Sequence, residues 1–201
     1  VPSPTLCRSN ITINGKQCTI AFYVDELFCT HVDVKVLEEI RDKIEAEYGK
    51  LSGVTFGDEH IFLGIDIKIV RSNKTAELRM TSHLQDAIND FEEINNLDSK
   101  EVANPAKSKL FEVNRNAMKV SERKMTAFRS IVMKLLYVAK RVRIDILTAV
   151  SFLTSRQGVT DVDDWKKLRR LSQYIKYTLD MPFDPWGGKI RPFLYLHRCS
   201  I

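Results

Sequence analysis

The stretch AFYVDELFCTHVD, residues Ala21 to Asp33, decides how this chain is read. An apolar run is broken by two adjacent carboxylates, Asp25 and Glu26, and then resumes. Such a pattern predicts a short hairpin with acidic groups at its tip. An acidic tip can hold a divalent cation, but two-metal phosphoryl chemistry needs carboxylates bridging ions roughly 3.5–4 Å apart. Neighbouring strand residues point to opposite faces, so Asp25 and Glu26 converge only if the turn bends them together. A second strand must then supply a further acid. Asp66 is the one other acid in a strongly apolar strand pattern, and its alternation is equally compatible with a solvent-facing position. On these residues alone a plain polar turn competes with a metal site.

Working outward, ITINGKQCTIAFYV carries the pair Asn14-Gly15, a strong short-range hairpin signal. The run Cys18 to Val24 reads as an interior strand and Leu27 to Thr30 as its return, giving a three-stranded meander. Asp33 is a helix N-cap, and Val36, Leu37, Ile40, Ile44 and Tyr48 recur at helical spacing before Gly49. The segment VTFGDEHIFLGIDIKIV reads as an alternating strand, with Phe62, Gly64, Asp66 and Lys68 on one side and Ile61, Leu63, Ile65, Ile67 and Ile69 on the other. Gly64 there suggests a bulge or a close backbone approach. A turn at Ser72-Asn73-Lys74, a returning strand AELRM and a helix from Ser82 follow. The polar segment Asn95 to Val120 is the expected module boundary. Helices are then expected over Ser121–Arg143, Ile144–Ser155 and Val162–Leu179, with Trp165, Leu168, Leu171, Ile175 and Leu179 on one face of the last. The tail KIRPFLYLH reads as one more strand. This order predicts an α+β fold, with an antiparallel sheet, covering helices and a helical bundle at the C-terminal end. The expected divisions are 1–81, 82–120 and 121–201.

The chain has 201 residues, 44% of them hydrophobic and 28% charged, with a formal net charge of +5. That balance supports a genuine core and argues against disorder. The longest apolar runs fall well short of a membrane span, and VPSPTLCRSN has no signal-like apolar core. Cys7, Cys18, Cys29 and Cys199 lack metal-binding spacing and read as free thiols of an intracellular protein, cytoplasmic or nuclear. His31, His60, His83 and His197 are dispersed and read as surface or locally satisfied histidines.

Charge is not evenly spread. From Lys119 to Arg143 the basic residues include Lys124, Arg129, Lys134, Lys140, Arg141 and Arg143, against the single acid Glu122. The last helix adds Lys166, Lys167 and Arg170. A phosphate backbone would be drawn to this end, and the sparse aromatic residues favour a duplex over a stacked single strand. A solvated basic face, or one docking on an acidic protein, stands as the alternative.

Four motifs then resemble one known family. YVDE at Tyr23 to Glu26 resembles the YVDD box of reverse transcriptases. FLGIDI at Phe62 to Ile67 is similar to the next palm element of the Ty1/copia-type retrotransposon enzymes. FRSIVMKLLYVAKRVRIDILTAVSFL, Phe128 to Leu153, and DWKKLRRLSQYIKYTLD, Asp164 to Asp180, resemble two later blocks of that family, in the same order and covering nearly the whole chain. The resemblance implies the second half of a palm, then a thumb and the linking helices before a ribonuclease H domain. It implies Asp25 and Glu26 as metal-binding residues, Phe62, Leu63 and Gly64 in a primer-grip-like strand pair, and the basic helices on a template–primer duplex. The parent chemistry adds deoxynucleotides with two Mg2+ ions.

The departures shape the expectation. Glu26 stands where the family has aspartate, which displaces a carboxylate by roughly an ångström in a site that needs preorganisation. Met133 replaces a glycine and Ile144 a proline of the family pattern. The 24 residues before Asp25 hold no acid. The expected function is therefore a fragment derived from an RNA-directed DNA polymerase, inactive on its own. The alternative is a non-catalytic nucleic-acid-binding or structural subunit of a larger assembly. If neighbouring palm strands are lacking, the sheet around Cys18 to Val24 would offer an open edge for self-association or a protein partner.

Overall fold

Positive backbone φ angles at three hairpin tips organise the first part of the chain. The computed structural model describes residues 6–73, 75–97 and 101–184, and the chain divides into two compact units: residues up to Leu78 with Asp184, and Arg79–Phe183.

In the first unit, β1 (Cys7–Ile13), β2 (Lys16–Tyr23) and β3 (Glu26–Thr30) form an antiparallel sheet in that order. Asn14 and Gly15 turn the first hairpin with φ of 51° and 72°, the backbone that Asn-Gly adopts at least cost. Because β2 is paired on both sides, the open edge expected around Cys18 to Val24 does not exist. The free edge beside it belongs to β1, whose side chains are almost all exposed.

The register fixes the two faces of this sheet. Ile20 opposes Cys29, and Ala21 opposes Phe28. The first pair packs on Leu37 of α1 (Val34–Tyr48) together with Leu27, Ile40 and Val54. The second pair faces Phe62, Leu63 and Ile67. A single sheet is thus covered by a helix on one side and a hairpin on the other. Asp33 caps α1 by accepting the Lys35 N–H at 3.0 Å, and Gly49 ends it at φ 89° with its N–H donated to the Glu45 carbonyl. Tyr48, expected on the buried stripe, is 66% exposed because the helix outruns the narrow sheet it covers.

The segment read as one alternating strand is a second hairpin. β4 (Glu59–Phe62) and β5 (Ile65–Val70) pair antiparallel with Phe62 opposite Ile65, which leaves Leu63 and Gly64 as a two-residue turn with φ of 52° and 70°. Gly64 is there for the turn, not for a bulge. The reversal also resets the alternation: Phe62, Ile65 and Ile67 share the inner face, while Ile61 and Asp66 point the other way. β6 (Thr75–Arg79) lies beside β5.

The second unit is built from α2 (Thr81–Glu92), α3 (Glu122–Ala139), α4 (Ile144–Ser155) and α5 (Val162–Tyr177). α3 packs against the other three. Phe128, Ile131, Val132, Leu135, Val138 and Ala139 form its buried stripe, and Phe91 of α2 stacks on Trp165 of α5 at 5.1 Å. The segment expected as a module boundary, Asn95 to Val120, lies inside this unit. Its described residues are tied down by buried Val102 and Leu110, and by a Val162 N–H donated to the Met118 carbonyl. Among the expected elements, the tail strand falls outside the described residues.

Two ionic clusters lock the helices. Asp161 and Asp164 form a capping box at the start of α5, and Arg156 from the end of α4 donates to both carboxylates, at 3.1 and 2.9 Å. Burial pushes the Asp164 carboxyl above its ordinary pKa despite these contacts. Arg143, only 1% exposed on its side chain, holds Asp145 with two donors at 2.9 and 2.8 Å and reaches Thr178 past the end of α5 with two more. Tyr174 donates its hydroxyl to the same aspartate.

Burial alone would raise the Asp145 pKa, but the Arg143 hydrogen bonds and charge, with Tyr174, outweigh it and hold the group below its ordinary value. A depressed carboxylate stabilises the fold above its unfolded pKa of about 3.9 and loses that contribution as pH falls through the folded value. Asp145→Asn leaves a buried guanidinium half-satisfied and should destabilise by about 2–3 kcal/mol at neutral pH. In urea titrations the gap to the unmodified chain should narrow steadily as pH drops from about 5 to about 2.

Candidate functional site: an acidic hairpin tip and a basic helical unit

The acidic tip is turned by Val24 and Asp25. Tyr23 pairs with Glu26, so Glu26 is the first residue of β3 and not part of the two-residue turn the sequence suggested. Val24 sits at φ 54°. A left-handed backbone costs a β-branched residue on the order of 1–2 kcal/mol and persists only where surrounding contacts hold it. Asp25, at the second turn position, is half-buried.

One of those contacts comes from Glu26. Its place in β3 gives it the same face as Phe28, the face covered by the second hairpin. Its carboxylate Oε2 accepts the backbone N–H of Leu63 at 2.7 Å, while the Phe28 and Phe62 rings meet at 5.2 Å. The two adjacent acids therefore do different things. Glu26 reaches across to cap the tip of a neighbouring hairpin, whereas Asp25 occupies the second position of the turn itself. That bond engages one of the two Glu26 carboxylate oxygens, so a cation at this tip would share Glu26 with the Leu63 amide.

The other expected contributor is elsewhere. Asp66 opposes Ile61, which is 55% exposed, and so shares the outer face with the ion pair Glu59–Lys68. Among the described residues no group of three or more His, Cys, Asp or Glu side chains converges as a cation site. The described residues thus do not fit a two-Mg2+ centre as arranged. Phe62, Leu63 and Gly64, expected as primer-grip-like, do come to the acidic tip. Phe62 is buried under Phe28 and Ala21, Leu63 offers its N–H to Glu26, and Gly64 completes the turn.

The nine expected nucleic-acid-binding cations divide by environment. Arg143 is a correction: it is buried and spends its guanidinium on Asp145 and Thr178, so it has no face for a phosphate. Lys134 pairs with Asp90 at 2.7 Å, and Lys166 with Asp163 at 2.8 Å. Lys167 donates to the Glu112 carbonyl at 2.7 Å and lies over the Phe152 ring. Arg129 donates to the Gln157 carbonyl, and Lys124 lies over Trp165. Lys140 is exposed at the end of α3. Arg141 lies 3.5 Å from the centre of the Tyr137 ring, which also stacks with His83 at 5.7 Å. Arg170 lines a cavity beside α5.

Four further reactive groups, His31, His60, Cys18 and Cys29, serve the fold. His31 accepts the Asp33 N–H and approaches the Ile13 carbonyl; His60 lies between Thr55 and the Gly57 carbonyl. Cys29 is pushed up to about 12 by burial, with Cys18 adding to the shift, so neither buried thiol is a ready nucleophile. No described helix is long and apolar enough to cross a membrane. No protein-family model matches the chain, and comparison with curated proteins and with solved structures likewise finds no match.

Sequence reasoning missed the Glu26–Leu63 bond. The signal available was the Leu63-Gly64 pair followed by a second alternating run, which reads as a hairpin once both positions are given positive φ. Glu26→Ala should lower the unfolding free energy by about 1–3 kcal/mol, the cost of leaving a partly buried N–H without this acceptor. Glu26→Gln keeps an acceptor oxygen and should lose distinctly less. Val24→Asn, which tolerates the left-handed backbone, should gain about 1 kcal/mol. Chemical denaturation reads all three, and equal losses for the Ala and Gln variants would contradict the account.

Proposed function

We propose that this chain is a palm-and-thumb segment of reverse-transcriptase ancestry, that it binds nucleic-acid duplex through its helical unit, and that it does not transfer nucleotides by itself. The single observation that carries the reading is the acidic tip. A YVDE turn with a left-handed Val24 has Asp25 at its second position, and Glu26, which stands where the family has its second aspartate, accepts the Leu63 N–H. Nucleotidyl transfer by this family would use two Mg2+ ions held by carboxylates. With one Glu26 oxygen held by the Leu63 amide and Asp66 on the outer face of its hairpin, the tip falls short of the carboxylate set that two ions need.

The order of the four sequence motifs supports the ancestry. The Arg143–Asp145 pair, which falls in the third motif, has a structural use that accounts for its residues without any contact to substrate. The cations that the end of α3 offers a phosphate backbone are exposed Lys140 and half-buried Arg141, whose guanidinium also donates to the Tyr137 carbonyl at 3.0 Å. A purely structural role, in which the basic face docks on protein, is favoured by a different observation. Lys134, Lys166 and Lys176 are already paired with Asp90, Asp163 and Glu92, which lowers the charge free to meet phosphates.

Duplex binding by fluorescence anisotropy separates the two. An RNA–DNA hybrid should bind with an affinity that falls steeply with salt, because each neutralised phosphate contributes a slope of about 0.9 in log–log form. The double variant Lys140→Glu/Arg141→Glu should weaken binding by about tenfold or more at low salt and reduce that slope by about two. Binding that is absent, or indifferent to both salt and the variant, supports the structural role. Primer extension by the chain alone with Mg2+ or Mn2+ should give no product, and robust extension would overturn the non-catalytic reading.

A further inference from the structure

The second unit contains a cavity of about 530 Å3 between the segment around Lys107, the α4 helix and α5. Its rim carries six cations, Lys107, Lys109, Lys166, Lys167, Arg169 and Arg170, against one carboxylate, Asp163. Four of these lie within five consecutive residues of α5, at spacings that place them along one side of the helix. The loop brings Lys107 and Lys109 up opposite. Like charges gathered this way repel one another, and an anion bound among them relieves that repulsion. Three carboxylates, Asp163 on Lys166, Glu112 on Lys109 at 3.4 Å and Asp164 on Lys167 at 3.9 Å, offset part of this charge, and the rim stays net cationic.

Two further features point to a small ligand. The Arg170 Nε is buried and has no hydrogen-bond acceptor among the described residues. A buried donor of this kind costs free energy until an acceptor arrives. The floor of the cavity is apolar, made by Leu110, Ala149 and Leu153. The volume falls in the range of small-molecule sites, roughly 300–1,000 Å3. A duplex would ride over the rim, whereas a chain of phosphates attached to a flat, weakly polar body would fill a cavity of this volume.

We propose that this cavity binds a small polyphosphate ester of the nucleoside-polyphosphate class, with its phosphates among the rim cations and Arg170 and its nucleoside against the apolar floor. The site stands apart from the duplex surface at the end of α3 and does not depend on the ancestry proposed above. Lys107 and Lys109 are exposed and act as adjustable phosphate contacts. Arg170 acts as a fixed donor at depth.

Isothermal titration of the purified chain with inorganic tripolyphosphate and with adenosine triphosphate tests this. Both should bind at about 50 mM salt and weaken as salt rises, and the nucleotide should bind at least as tightly as tripolyphosphate. Lys107→Gln/Lys109→Gln, at exposed positions that leave the fold intact, should weaken both ligands tenfold or more. Arg170→Met, which keeps the aliphatic stem, should do the same, with helicity by circular dichroism unchanged. Lys140→Glu/Arg141→Glu should leave both affinities unaltered, so a failed duplex experiment and a failed cavity experiment are distinguishable. Neither ligand binding at low salt, variants binding as the unmodified chain does, or an equal loss in the α3 variant would overturn the proposal. Tripolyphosphate binding tighter than the nucleotide would overturn its nucleoside part.

Discussion

The hydrogen bond from the Leu63 N–H to Glu26 ties the first unit together at the point where it is most strained. Two hairpin tips meet there, and each carries a bulky residue in left-handed backbone, Val24 at φ 54° and Leu63 at φ 52°. Such residues are held in place only by over-determination. The register of β2 and β3 supplies it by turning Glu26 and Phe28 toward the second hairpin while Ile20 and Cys29 turn toward α1. The carboxylate anchors one tip on the other, and the Phe28–Phe62 contact closes the apolar layer just behind it. An aspartate at position 26 would stop a methylene short of the same reach. The chemical feature that looks like a weakened metal ligand is thus a working structural contact.

The second unit solves a different problem with the same economy of groups. Its charged residues are numerous, and two clusters of ion pairs hold deeply buried ones among the described residues: Arg143 with Asp145, and Arg156 with Asp161 and Asp164. A buried ion pair adds little net stability, yet losing one partner is costly because it strands the other. These pairs therefore set where α4 and α5 begin and end more than how stable the unit is. Further cations lie near the end of α3, around the cavity beside α5, and at exposed Arg115, Lys119 and Arg123.

Much of the fold was legible in the residues. Asn14-Gly15, the Asp33 cap, the stripe of Trp165, Leu168, Leu171 and Ile175, and the helical run after Ser121 each carry a local signal strong enough to fix an element. What was not legible depended on pairing between segments. Leu63-Gly64 lacks the Asn or Asp that normally announces a two-residue turn, so one hairpin read as one strand and Asp66 was grouped with Phe62 instead of Ile61. Arg143 read as a surface cation because its neighbours in sequence are basic; its partners Thr178 and Tyr174 lie more than thirty residues away. The cavity combines α5 with a loop that composition marked as a boundary, and no periodicity in either segment reveals the other.

The account rests on Glu26 holding the Leu63 amide. Native-state hydrogen exchange at that single amide, followed by NMR, addresses it most directly. In the unmodified chain the Leu63 N–H should exchange slowly for a turn position, and Glu26→Ala should accelerate it by about tenfold or more, equivalent to about 1.4 kcal/mol, while strand amides such as Ile20 are little changed. An exchange rate at Leu63 that is the same with and without the Glu26 carboxylate would contradict it.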